Sequence, residues 1–134
     1  VIVADASLIG YFAIRGVHSE LADAVCATDA VWVAPLLWRS EFRNTLTKYI
    51  QHAGMSLDEA LIALRSAEEI IGAGEYRVSS RSVLELAAQS KCTAYDCEYV
   101  ALAQELGVRL VTADKQILKA FPGTAVALEK FTKR

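Results

Sequence analysis

Apolar and polar positions along this chain follow two alternating periods. Short apolar runs of strand length alternate with stretches whose apolar residues recur at helical spacing, and no internal repeat or low-complexity tract interrupts them. That order predicts an α/β domain with a parallel sheet. The first run, Val1-Ile2-Val3-Ala4, is too short for a helix and stops at Asp5. Helices are expected from about Ser7 to Arg15 and from about Ser19 to Ala27, and Ala30 to Ala34 reads as a second strand closed by Pro35. A long helix carries Trp38, Glu41, Phe42 and Leu46 toward His52 and ends at Gly54. Ser56 and Glu59 have capping-box spacing at the start of the next helix, which runs to Gly72-Ala73-Gly74. A short strand from Tyr76 to Val78 and a helix from Ser80 to about Lys91 follow, then a helix that begins around Thr93 and stops at Gly107. The run from Val108 to Ala113 repeats the opening arrangement, ending on Asp114 with a helical stretch, Lys115 to Ala120, behind it. Ala125 to Leu128 is expected to add an edge strand before a charged tail, Glu129 to Arg134.

Four acids stand out against this pattern: Asp5, Glu41, Asp96 and Asp114. If the strands are parallel, Asp5 and Asp114 share the rim formed by the strands' C-terminal ends, where open parallel sheets bind ligands. Aspartate is also among the best N-cap residues, so capping alone accounts for any one of Asp5, Asp96 and Asp114. Glu41 is different, because it lies well inside a helical pattern with Leu37, Trp38 and Thr45 one turn away. A carboxylate on a partly apolar face wants a partner or a cation. Glu98, two residues from Asp96, points elsewhere and reads as a first-turn glutamate favoured by the helix dipole. Taken as a set, the four acids suggest a metal site.

Composition narrows the class. The 134 residues, 54% hydrophobic and 22% charged, are enough for one domain spanning 1–134 with its own core. No apolar run approaches bilayer length and nothing resembles a signal peptide, so a soluble, cytoplasmic protein is expected. The chain opens on Val1 inside its first strand without an initiator methionine, and a few upstream residues are expected to precede it. Cys26, Cys92 and Cys97 lack CxxC spacing and paired histidines, which excludes a disulfide framework and a zinc site and leaves idle thiols in a reducing compartment. His18 and His52 fall outside any motif. The net charge of −2 means that a nucleic-acid partner would have to be drawn by local patches and bound cations.

The order and spacing of the motifs resemble the PIN-domain ribonucleases, in particular the VapC-like toxins of toxin–antitoxin pairs, over essentially the whole chain. Asp5-Ala6-Ser7 is similar to the family's opening D-x-S/N motif, and Pro35 to Leu46 to its helix with P…W…E…N…L. Tyr95-Asp96-Cys97-Glu98-Tyr99-Val100-Ala101-Leu102-Ala103 is similar to Y-D-x-x-Y-V-A-L-A, and Thr112-Ala113-Asp114 to T-x-D. The resemblance implies a three-layer α/β/α fold around a central parallel sheet and a metal-dependent endoribonuclease. Asp5, Glu41, Asp96 and Asp114 would hold one or two Mg2+ or Mn2+ ions, hard cations that prefer carboxylate oxygens and keep waters. Products with 5′-phosphate and 3′-hydroxyl ends, a cognate antitoxin and a homodimer are implied too. The antitoxin would lie in a groove formed partly by the helix that carries Trp38 and Phe42. Ser7 and Thr112 could orient a carboxylate or a metal-bound water, with a helix-start hydroxyl and an ordinary strand-end threonine as the alternatives. Asn44 could fix Glu41, and Tyr95 and Tyr99 read as packing residues. The chain departs from some relatives in lacking a further acid just after Asp114, where Ile117 and Leu118 stand.

Two other classes compete with that reading. A phospho-accepting receiver domain has similar size but wants paired acids after its first strand, where Asp5 stands alone. A catalytically silent PIN-like RNA- or protein-binding module would usually have lost an acid of the set, and all four are present.

Overall fold

The structure, a computed structural model, describes residues 1–133. Five strands, β1 (Ile2–Ala4), β2 (Trp32–Pro35), β3 (Glu75–Tyr76), β4 (Leu110–Thr112) and β5 (Ala125–Ala127), form one sheet in the order β3-β2-β1-β4-β5, with every pairing parallel. Eight helices connect and flank them: α1 (Ala6–Ala13), α2 (Ser19–Thr28), α3 (Trp38–His52), α4 (Leu57–Ile71), α5 (Ser80–Ala88), α6 (Ala94–Leu106), α7 (Lys115–Ala120) and α8 (Leu128–Thr132). The result is the parallel α/β domain expected from the alternating pattern, in the three-layer α/β/α arrangement that the resemblance implied.

The central strands are buried on both faces, as parallel strands between helix layers must be. Every residue of β1 and β4 is buried, so their sequences are unbroken apolar runs up to Thr112. The strand order reverses between β1 and β4: β2 and β3 extend the sheet on one side, β5 on the other. The register Val3↔Leu110 and Ala4↔Val111 brings the C-terminal ends of these two strands side by side.

Several boundaries differ from the sequence reading, each for a local reason. Pro35 belongs to β2 rather than following it. Ala34 donates its N–H to the Gly74 carbonyl just before β3 and Leu36 donates to Tyr76 in it, so the missing N–H of Pro35 faces the β1 side, where the pairing with β1 has already ended at Val33. The third strand is Glu75–Tyr76, and it lies close because Gly74 has no side chain: a Cβ there would stand 2.8 Å from the Trp32 carbonyl oxygen. Helix α5 stops at Ala88, three residues short of Lys91, where Ser90 turns its hydroxyl back onto the Leu86 carbonyl. Residues expected as a charged tail form α8 instead, because Leu128 is buried and Phe131, one turn on, packs against the core. Arg134, the last residue of that expected tail, lies outside the described residues. The capping box of Ser56 and Glu59 and the left-handed Gly107 that ends α6, at φ 67°, are as expected.

Candidate active site

The chain turns from strand into helix at the ends of β1 and β4, and both turns are made by an aspartate. Asp5 caps α1 by accepting from the Leu8 N–H at 3.1 Å, and Asp114 caps α7 by accepting from Gln116 and Ile117 through one oxygen, Oδ1. These are the caps foreseen from sequence. They also lie beside the point where strand order reverses, the usual ligand position of an open parallel sheet.

N-capping was the alternative reading of Asp96, and another residue holds that position. Thr93 is the N-cap of α6, and Asp96 is the third helical residue of a capping box, accepting from the Thr93 N–H at 3.4 Å while its own N–H donates to Thr93 Oγ1 at 3.0 Å. Glu41 also lies elsewhere than expected: α3 begins only at Trp38, so Glu41 falls in the first turn, where the helix dipole favours a carboxylate. Asp5, Glu41, Asp96 and Asp114 together line one cleft of about 260 Å³, with Ser7, Tyr99 and Ile117 also in its wall. Glu98 is not in its wall and lines a different cleft, close enough for its charge to act on Glu41; it stands beyond the first turn of α6.

Each carboxylate is held by a specific group. Ser7 donates to Asp5 Oδ1 at 2.6 Å and Thr112 donates to Asp5 Oδ2, a contact spanning 107 positions of the chain. Both hydroxyls also accept backbone donors from the second strand end, Ser7 from Ala113 and Thr112 from Asp114. Glu41 is fixed by Tyr99, whose hydroxyl donates to Oε1 at 2.6 Å. This partner was not read from the sequence, where Tyr99 passed for a packing residue. Tyr99 is in fact buried and polar-bonded at once, whereas Tyr95 is exposed and packs nothing. Asn44 is exposed and holds no carboxylate.

Burial sets the electrostatics. It raises the Asp5 carboxyl from 3.8 to about 6, against the lowering effect of the bonds from Ser7, Thr112 and Leu8, and the charge of Asp114 adds to the rise. Burial likewise raises Glu41, opposed by the Tyr99 hydrogen bond and helped by the nearby charges of Asp96 and Glu98. Tyr99 is raised as well, by burial first and then by Glu41. A site that makes its own carboxylates reluctant to ionise favours a compensating positive charge.

The donor set suits a hard cation: all oxygen, all carboxylate. Glu41, Asp96 and Asp114 are each held through one oxygen, and the second oxygen of each has no hydrogen bond among the described residues. No three such side chains among the described residues already stand at the spacing of a closed metal group.

Trp38 and Phe42 do not line a groove. Both are completely buried, and Trp38 Nε1 donates to Glu75 Oε2 at 2.8 Å. Their helical spacing reports the core face of α3.

A five-stranded parallel sheet between helix layers, with acids gathered where the strand order reverses, defines a PIN-like α/β/α domain. The crystal structure of PAE2754 from Pyrobaculum aerophilum has this fold, matching 98% of this chain and 92% of that one with a TM-score of 0.72 at 23% identity. In sequence, the chain is 30% identical over 124 residues to Ribonuclease VapC3 of Pyrobaculum aerophilum, covering 90% of this chain and 95% of the relative. No family model matches the chain. On the strength of that relative, this chain belongs to the VapC family of PIN-like proteins.

Proposed function

We propose that this protein is a metal-dependent endoribonuclease, the toxin of a toxin–antitoxin pair, and that Asp5, Glu41, Asp96 and Asp114 hold one or two Mg2+ or Mn2+ ions. Ribonuclease is the printed activity of the VapC3 relative. The observation that carries the reading to this chain is the single cleft into which four carboxylates from four separate elements converge. A hard divalent cation in such a set supplies charge neutralisation at the scissile phosphate and acidifies the attacking water. The chain's own residues do the positioning. Ser7 and Thr112 hold both oxygens of Asp5, Tyr99 orients Glu41, and the cap bonds orient Asp114. A cognate antitoxin is the expected controlling partner.

Cleavage of a structured RNA with Mg2+ or Mn2+, against the same reaction in EDTA, tests the activity. Glu41→Gln and Asp96→Asn should fold as the parent does and lose most metal-dependent cleavage. Near-normal cutting by either variant would sink the mechanism.

A further inference from the structure

Of five clefts among the described residues, four have a carboxylate in the wall: the acidic cleft itself, one bearing Glu98, one bearing Glu85 and Glu105, and one bearing Glu69. The remaining cleft, about 400 Å³, has none. Its charged residues are Lys91 and Lys119, set among Gln89, Ser90, Gln116 and Ala120. Neither lysine belongs to an ion pair among the described residues, where the paired cations are the N-terminus, Arg15, Arg39 and Arg81. In a chain of net charge −2, an acid-free cleft with two unpaired lysines is a local exception.

Its position is set by the same elements that carry the acids. Helix α7 starts at its cap Asp114, and Gln116, Lys119 and Ala120 form the face that lines the lysine cleft while Ile117 lines the acidic one. From Asp114 to Lys119 is about 7.5 Å along a helix axis. The other wall is the connection between α5 and α6, which leads through Thr93 directly to Asp96. Gln116 Nε2 donates to the Lys91 carbonyl at 2.9 Å and ties that connection to α7, so the two lysine backbones are held in fixed relation. Basic and acidic clefts are thus neighbours across one short helix.

We infer that the Lys91–Lys119 cleft binds the phosphate backbone of single-stranded RNA next to the acidic cleft, holding the strand from which a phosphodiester is presented. The inference rests on the proposed ribonuclease reading for its choice of ligand. Ammonium groups on flexible stems suit phosphates as point charges and carry no sequence preference. The cleft therefore supplies affinity and direction, while cleavage belongs to the acids.

The test is fluorescence anisotropy of a fluorescein-labelled single-stranded RNA of mixed sequence with the full chain in EDTA, which separates binding from cleavage, over a sodium chloride series. Lys91→Gln with Lys119→Gln should weaken binding alike for unrelated RNA sequences and make the slope of log affinity against log salt shallower by about 1.4, the value for two phosphate contacts on a single strand. Lys48→Gln with Lys130→Gln removes the same charge elsewhere and should leave the slope unchanged. An equal loss in both double variants would overturn the inference, reducing it to net charge, as would a parent-like slope in the Lys91, Lys119 variant or no RNA binding by the parent. The nuclease reading fails separately: RNA bound through these lysines by a protein that cuts nothing with Mn2+ would keep the cleft and refute the enzyme.

Discussion

Tyr99 shows how much of a site can depend on one hydroxyl. Its ring is core and its oxygen faces the cleft, where it holds Glu41 at 2.6 Å. Tyr99→Phe keeps the ring and removes only the donor. It should lower divalent-cation affinity by about tenfold to a hundredfold, the usual effect of losing a group that orients a ligand, with little change in fold; unchanged Mn2+ affinity by calorimetry would refute the orienting role. Asp5 gives a pH prediction. Its folded carboxyl is raised to about 6 from 3.8, so between those values the folded chain holds the proton more tightly than the unfolded chain. The stability this contributes is full below about 4 and is lost as pH rises through about 6, an effect on the order of 2–3 kcal/mol. In metal-free buffer, Asp5→Asn should therefore gain on the parent in melting temperature as pH rises from 4 to 7. A gap independent of pH would show that Asp5 is not raised. Asp5 was legible in the sequence because its cap and its strand are local. The hold of Tyr99 on Glu41 was not, because the two residues are 58 positions apart and meet only through packing.

At the scale of elements, cap and ligand can be separated by choice of substitution. Asn caps nearly as well as Asp, whereas Ala loses about 1 kcal/mol. Asp114→Asn should keep the stability of α7 and lose cleavage, and Asp114→Ala should lose both; cleavage by the Asn variant would leave Asp114 only a cap. Most helices were legible because their stops and caps are written locally, as at Ser56, Gly72 and Gly107. At the C-terminal end, a tertiary contact overrode the local signal. Phe131 and Leu128 found a core to face and made a helix of the expected tail. Trp38 and Phe42 are the converse case, since apolar spacing on α3 cannot tell a core from a groove.

For the whole molecule, the proposed cation site predicts that binding a divalent cation stabilises the fold. At about a hundred times its dissociation constant, one bound cation adds roughly 2.7 kcal/mol by mass action. A thermal melt in EDTA should rise on adding Mn2+, and an unmoved midpoint at saturating Mn2+ would remove the site. The homodimer implied by the resemblance predicts a light-scattering mass near twice the 14.6 kDa of one chain; a monomer mass at micromolar concentration would remove it. No helix among the described residues is long and apolar enough to cross a membrane. The sheet order itself has a consequence for synthesis. Asp5 is made more than a hundred residues before Thr112 and Asp114, because β1 pairs with β4. Chains are made from the N-terminus at roughly 5–20 residues per second, so for several seconds the growing polypeptide holds an unfinished cleft beside the very class of molecule it is proposed to cut. A product terminated before β4 would lack Thr112 and Asp114, and with them one of the hydroxyls that hold Asp5 and one of the four acids of the cleft.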